Sequence, residues 1–114
     1  MEGPTERPWR GERVIIVFRR RLASLKDKEA GDWLVVPANK VLSPGQQVTW
    51  QTVPPANLEL FLPDVFTQPV VKGPGGSATA TVKSGSQIGF FFYEAYCNGQ
   101  LATAGSSPGV IIDP

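Results

Sequence analysis

Few side chains in this sequence have the chemistry of a catalytic or metal site. The chain has one cysteine, Cys97, and no histidine among its 114 residues. Without imidazole there can be no histidine metal ligand, no histidine general base and no Ser-His or Cys-His nucleophile pair. A reactive thiol would need neighbours that lower its pKa, and no Lys or Arg is adjacent to Cys97 in the sequence. The sequence therefore predicts that Cys97 is a structural thiol of the core.

Carboxylates are the other groups that could catalyse a reaction. Glu59 lies within the apolar stretch LELFL, and Asp64 follows that stretch closely. A pair of acid and base carboxylates is defined by distance in space, so a small enzyme that uses carboxylates or Cys97 stays open as an alternative. The stretch KGPGGS lacks the Lys-Ser/Thr ending of a phosphate-binding loop.

Length and composition indicate one soluble domain with little overall charge. Hydrophobic residues make up 41% of the chain and charged residues 18%, as in ordinary globular domains. The formal net charge is +1, so there is no global field to attract nucleic acid. Acidic residues surround the cluster Arg19, Arg20 and Arg21, which favours a salt-bridged surface there.

The sequence contains no apolar run long enough to span a membrane. Its first residues, MEGPTERPWRGER, are charged and lack the apolar middle region of a signal peptide. This favours a cytoplasmic location. A single cysteine also excludes a disulfide within the chain.

Twelve glycines and eleven prolines divide the chain into short apolar stretches, which is typical of an all-β fold. Residues 47–52, QVTWQT, and residues 58–62, LELFL, alternate in the way that half-buried strands do. About seven to eight such strands predict a Greek-key β-sandwich. We expect an N-terminal arm at residues 1–13 and a single domain at residues 14–114. Residues 24–30 are either a short helix or a structured loop.

The stretch GFFFYEAYC at residues 89–97 is the densest aromatic run of the chain. If Cys97 faces the core, alternation along a strand places three aromatic side chains on the opposite face. These are Phe90, Phe92 and Tyr96. Exposed phenylalanines in the middle of a strand need a cover, and three explanations are open. The N-terminal arm with Trp9 covers them, another subunit covers them, or a β-bulge resets the alternation.

Four stretches of the chain, taken in order, resemble the cupredoxin family. They are WLVVPANKVLSPGQQVTW, ANLELFLP, GGSATATVKSGSQIGFFFYEAYC and PGVIID. The resemblance covers roughly residues 33–112 and implies a cupredoxin-like sandwich. An immunoglobulin-like sandwich is the rival fold, because Trp50 suits its core tryptophan, although the paired cysteines are missing.

The resemblance implies a fold without its usual copper site. Cupredoxins that carry electrons bind copper through two imidazoles, one thiolate and a weak axial group. By position, Asn57 stands where the first imidazole is expected, and Cys97 stands at the thiolate. The loop that follows, NGQLATAGSSPG, has neither His nor Met. Instead, Asn98 and Gly99 predict a type I′ hairpin turn. We therefore expect no copper and no other cofactor.

Together these observations predict a copper-free cupredoxin-like module that binds or forms part of an assembly without catalysing a reaction. Its expected partner is another protein, or a second copy of the chain, at the face that carries Phe90 and Phe92. Tyr96 and Trp9 are the further candidate contacts. Nucleic acid is not an expected partner. Electron transfer would need the missing histidines, and the fold alone does not imply it.

Overall fold

The structure is a computed structural model, and it describes residues 13–21 and 31–114. All regular secondary structure in these residues is β. The eleven strands are β1 (Val14–Arg21), β2 (Gly31–Val36), β3 (Asn39–Leu42), β4 (Gln47–Val53), β5 (Leu58–Phe61), β6 (Val70–Gly73), β7 (Ser77–Thr81), β8 (Gly89–Phe92), β9 (Glu94–Cys97), β10 (Gln100–Leu101) and β11 (Gly109–Ile112). The short helix considered for residues 24–30, and the expected arm apart from Arg13, lie outside the described residues. No helix in the described part of the chain has the length and apolarity that a membrane span requires.

The strands form two layers. The first layer is a sheet in the order β2-β1-β4-β7. The second contains β3-β11-β8 and β10-β9-β5-β6, which join because β8 and β9 are separated only by Tyr93. Strand β1 pairs with β4 in parallel, and β11 pairs with β3 in parallel, whereas the other strand pairs are antiparallel. The predicted all-β sandwich is therefore confirmed.

The eleven strands outnumber the predicted seven to eight, because extended runs change sheets. The chain leaves the first layer after β2, turns at Pro37, and continues as β3 in the second layer. Similarly, the extended run from Gly89 to Cys97 changes its partner. Its first part, β8, pairs with β11, and its second part, β9, pairs with β5. Each change of partner divides a single extended stretch into two strands.

The core lies between the layers and is centred on Trp50. This side chain is fully buried, as the alternation of β4 predicts. Its ring packs edge-on against Tyr93 of the second layer, with centroids 5.3 Å apart, and against Phe66 at 6.0 Å. Alternating apolar side chains of β1, β5 and β11 fill the space around it. The contact between Trp50 and Tyr93 thus joins the two layers.

Thr52 is the one buried polar residue of the described core, and it organises one end of the sandwich. Its Oγ1 accepts a hydrogen bond from the Ala56 N–H (3.0 Å) and donates one to the Gly76 carbonyl (3.3 Å). The Thr52 N–H also donates to this carbonyl at 2.8 Å. Gly76 has a φ of +102°, and a Cβ there would lie only 2.5 Å from Oγ1. This packing connects the loop before β5 to the turn before β7.

We expect Thr52→Val to lower the free energy of unfolding by about 1–3 kcal/mol, because the buried Ala56 N–H loses its acceptor. Urea unfolding monitored by fluorescence would measure this. Thr49→Val is the matched control, since the Thr49 hydroxyl bonds only to Thr79 at the surface (2.9 Å). Equal losses in the two variants would contradict the role given to Thr52.

Candidate functional site

The predicted hairpin turn is present at the end of β9. Asn98 and Gly99 have φ values of 52° and 84°, the positive values that a type I′ turn requires. They connect β9 to β10, whose Gln100 pairs with Cys97 in antiparallel register. A short hairpin therefore follows Cys97, at the position where the resemblance implies a ligand loop.

The structure brings Asn57, Cys97 and the turn together at one pole of the sandwich. The Asn57 N–H donates to Asn98 Oδ1 at 2.8 Å, and the Asn98 N–H donates to the Asn57 carbonyl, also at 2.8 Å. The next residue, Leu58, pairs directly with Cys97. These reciprocal bonds hold the start of β5 against the turn.

The donor groups at this pole do not fit a copper ion. Cys97 is a fully buried free thiol, and burial raises its pKa to about 11, so a copper ion would have to displace the proton of a group that the apolar core keeps neutral. Asn57 offers an amide where an imidazole is expected, and the chain has no histidine. The described residues contain no group of three His, Cys, Asp or Glu side chains that could hold a metal.

A second buried polar group lies deeper in the core, at Tyr93. Neither its hydroxyl nor the indole N–H of Trp50 has a hydrogen-bond partner of good geometry. Burial raises the pKa of Tyr93 to about 12, and the nearby indole N–H lowers this pKa by a smaller amount. Both shifted groups, Tyr93 and Cys97, thus owe their high pKa values to the same apolar core.

Alternation along residues 89–97 holds as predicted. Phe90 and Phe92 are 46% and 59% exposed, whereas Tyr93 and Cys97 are buried. Tyr96 is half-buried on the outer face. No bulge resets the alternation between Phe90 and Cys97, because exposed and buried positions keep alternating through the junction of β8 and β9.

The exposed phenylalanines form one ordered pair on the outer face of the second layer. Their rings meet edge to face with centroids 4.7 Å apart. The Phe90 ring lies over Gly109, where a Cβ would come within 2.6 Å of it. Phe90 also pairs with Ile111, which pairs with the exposed Val41. An apolar strip therefore crosses the sheet β3-β11-β8.

Four residues of this face form a cluster that the sequence did not predict, although Tyr96 was a candidate contact and Glu59 a candidate carboxylate. In β5 and β9, Phe61 pairs with Glu94, and Glu59 pairs with Tyr96. The rings of Phe61 and Tyr96 are nearly perpendicular, with centroids 5.6 Å apart. We call Glu59, Phe61, Glu94 and Tyr96 the aromatic–acidic square. Its signals in the sequence are two alternations: that of LELFL puts Glu59 and Phe61 on one side, and that of residues 89–97 puts Glu94 on the outer side with Tyr96.

Open grooves flank Phe61 on both sides. One groove of about 370 Å³ is lined by the aromatic–acidic square and Gly99. The other, about 340 Å³, is lined by Phe61, Phe92 and Glu94 together with Leu62, Pro63, Tyr93 and Ser107. Because they share Phe61 and Glu94, the grooves connect the square to the phenylalanine pair in one surface.

The structure does not bring Glu59 and Asp64 into a common groove. Glu59 pairs with Lys72 at 3.6 Å, whereas Asp64 pairs with Lys83 at 3.4 Å and lines a different groove. This arrangement gives no support to an acid–base pair made of these two carboxylates. Arg20 pairs with Asp32 at 2.7 Å, in line with the salt-bridged surface predicted around the arginines.

We expect Cys97 to react with iodoacetamide at pH 8 at least about a hundredfold more slowly in the folded chain than in urea. A pKa of about 11 rather than the ordinary value of 9.0 lowers the thiolate fraction about a hundredfold at this pH, and burial also blocks access. Mass spectrometry at timed intervals measures both rates. Comparable rates would mean that the thiol is accessible and reactive.

Stability should decrease with rising pH between about 9 and 12. The pKa values of Cys97 and Tyr93 are raised from 9.0 to about 11 and from 10.0 to about 12. As the pH rises, the unfolded chain therefore loses these protons before the folded chain does. The stability that the two neutral groups contribute is fully present only below their pKa values in the unfolded chain. Tyr93→Phe should reduce the decline between pH 10 and 12 and change stability at pH 7 by no more than about 1 kcal/mol.

Urea unfolding at a series of pH values measures this decline. Tyr96→Phe is the matched control, since it removes a tyrosine hydroxyl from the outer face and not from the core. If the free energy of unfolding fell equally steeply with pH in the Tyr93→Phe and Tyr96→Phe variants, the pH dependence would not arise from the buried hydroxyl.

Comparison with known proteins identifies structural relatives only. No protein-family model and no curated protein matches the sequence. The fold is similar to that of a purple cupredoxin from Nitrosopumilus maritimus, with a TM-score of 0.51 and 16% identity over 90% of this chain and 100% of that chain. It is also similar to a Cu(I) amicyanin mutant at a TM-score of 0.47, with 16% identity over 90% of this chain and 83% of that one. At 16% identity the likeness to the purple cupredoxin is one of fold, and the fold of this chain is a cupredoxin-like β-sandwich, as the resemblance in sequence implies.

Proposed function

We propose that this chain is a protein-interaction module that works without copper and binds another protein through the outer face of its second layer. The observation that carries the proposal is the Phe90–Phe92 pair, which is about half exposed in the middle of a strand. Fully burying an exposed phenylalanine side chain is worth about 1.5–3 kcal/mol, so covering the exposed half of each of these rings stabilises a complex by about half of that amount. A pair of such side chains, fixed in one arrangement, can serve as the centre of an interface.

The apolar character of this face extends beyond the pair. Nine large apolar side chains are exposed among the described residues, and six of them belong to this face. The six are Val41, Phe61, Val70, Phe90, Phe92 and Leu101. Because grouped apolar side chains mark interaction surfaces more than scattered ones do, the grouping supports a partner that covers the face.

The attachment of the N-terminal arm favours a partner over the arm as the main cover. Arg13 is anchored on β4 of the first layer, where its carbonyl accepts from the Thr49 N–H (2.8 Å) and its Nε donates to the Gln47 carbonyl (2.9 Å). Arg13 therefore lies on the layer opposite to the one that carries the Phe90–Phe92 pair. Trp9 lies outside the described residues, and in the proposal it contributes a contact to the same partner.

No observation favours the alternative of a small enzyme. Cys97 is buried with a raised pKa, and Glu59 and Asp64 have separate lysine partners in separate grooves. A nucleophile needs the opposite surroundings, namely partial exposure and a lowered pKa. The outer face of the second layer is therefore the site that we assign to function.

We expect Phe92→Thr to weaken association about tenfold or more, since it removes an exposed aromatic contact. The full chain is first tested for self-association by sedimentation. A heterologous partner is sought by capture from lysate and then purified and titrated directly. Phe92 is chosen over Phe90 because Phe90 also covers Gly109.

Val53→Thr is the matched control, because Val53 is 51% exposed but belongs to the first layer. It should leave the association constant within about twofold of the original value. Thermal unfolding of both variants checks that the fold is kept. Equal effects of the two substitutions would overturn the assignment of the face.

A further inference from the structure

The aromatic–acidic square has a regular arrangement that the strand register imposes. On two adjacent antiparallel strands, the carboxylates occupy one diagonal, Glu59 and Glu94, and the rings occupy the other, Phe61 and Tyr96. Directly opposite Cβ atoms in such a pair lie about 4.5–5.5 Å apart, and diagonal ones about 7–8 Å apart. Four side chains from this small area therefore converge on one open groove of about 370 Å³.

The charges of the square are only partly compensated. Lys72 approaches Glu59 from β6, on the side away from Tyr96, with Nζ 3.6 Å from the carboxylate. The Tyr96 hydroxyl donates a hydrogen bond to Glu94 at 3.4 Å, and none of the ion pairs formed among the described side chains involves Glu94. Among the described side chains, the Glu94 carboxylate thus lies beside two aromatic rings without a cation partner.

Rings and carboxylates together favour a cation. The face of an aromatic ring attracts a cation within about 6 Å of its centroid, and arginine is found in this position more often than lysine. A guanidinium is planar and can stack on a ring while it donates two parallel hydrogen bonds to a carboxylate. The nearly perpendicular rings of Phe61 and Tyr96 offer a stacking surface next to the carboxylate of Glu94.

We propose that the aromatic–acidic square binds the guanidinium of an arginine side chain that the protein partner presents next to the Phe90–Phe92 pair. This rests on the proposed function and adds to it the charge of the partner. The groove between Phe61 and Phe92 connects the two contacts. The partner segment therefore carries an arginine on one side and apolar residues on the other.

The test uses the isotope-labelled full chain and small blocked amino acids as probes. N-acetyl-arginine amide is titrated while the NMR signals of the backbone amides are followed. N-acetyl-citrulline amide has nearly the same shape without the charge, and N-acetyl-lysine amide has the charge without the plane. We expect saturable shifts with arginine at millimolar concentration, weaker binding of lysine and none of citrulline. The shifts should be centred on Glu59, Phe61, Glu94, Tyr96 and Gly99.

Two substitutions locate the site. Glu94→Gln should weaken arginine binding about tenfold, and Phe61→Leu about two- to fivefold, as for a cation–π contact at an exposed site. Asp64→Asn is the matched control, because Asp64 is an exposed carboxylate with a lysine partner in another groove. This substitution should leave the affinity for N-acetyl-arginine amide unchanged. Binding of citrulline as strong as that of arginine, absence of saturation, or equal effects of Glu94→Gln and Asp64→Asn would each overturn the proposal.

The results separate this inference from the proposed function. If Phe92→Thr abolishes association but arginine does not bind, the face is an interface and the cation site is wrong. If arginine binds but Phe92→Thr leaves association unchanged, the cation site stands and the assignment of the phenylalanine pair is wrong. An arginine of a second copy as the natural occupant would appear as self-association that N-acetyl-arginine amide inhibits.

Discussion

Strict alternation along the run from Gly89 to Cys97 is the constraint on which the rest of the structure depends. The run belongs to two sheets, since its first half pairs with β11 and its second half with β5. Tyr93, at the junction, points into the core and packs on Trp50 of the other layer. Because side chains of a strand alternate, this single core contact decides which residues of the run face solvent. The aromatic outer face follows from the packing of the core.

The pole at Asn57 and Cys97 is closed by hydrogen bonds between Asn57 and Asn98, one of which the side-chain amide oxygen of Asn98 accepts. The two bonds between Asn57 and Asn98, both 2.8 Å long, connect the start of β5 to the turn after β9. Thr52 holds the preceding loop from within the core. The buried thiol of Cys97 then serves as a small apolar side chain. These contacts at the pole are thus explained by folding, whereas the exposed phenylalanine pair on the outer face is not.

Sequence patterns predicted the features of this chain that are set locally. The Asn98–Gly99 turn was predictable because both residues tolerate positive φ. The exposure of Phe90 and Phe92 was predictable from alternation once Cys97 was taken as buried. The aromatic–acidic square was not, because it depends on the register between β5 and β9, which are more than thirty positions apart in the chain and are aligned by packing across the whole domain. Similarly, the closeness of Phe61 and Phe92 across one groove has no signal in either local pattern.

The sharing of one run between two sheets also sets where the length of the chain can change. Deletion or insertion of a single residue between Phe90 and Cys97 would exchange the buried and exposed positions on one side of the change. It would bring Glu94 or Phe92 towards the core, or turn Tyr93 towards solvent. In the loop between β10 and β11, residues 105–107 are exposed and are not subject to this restriction. In related chains with the same fold, a difference in length is therefore expected at such exposed loop positions, while the nine residues from Gly89 to Cys97 keep their number.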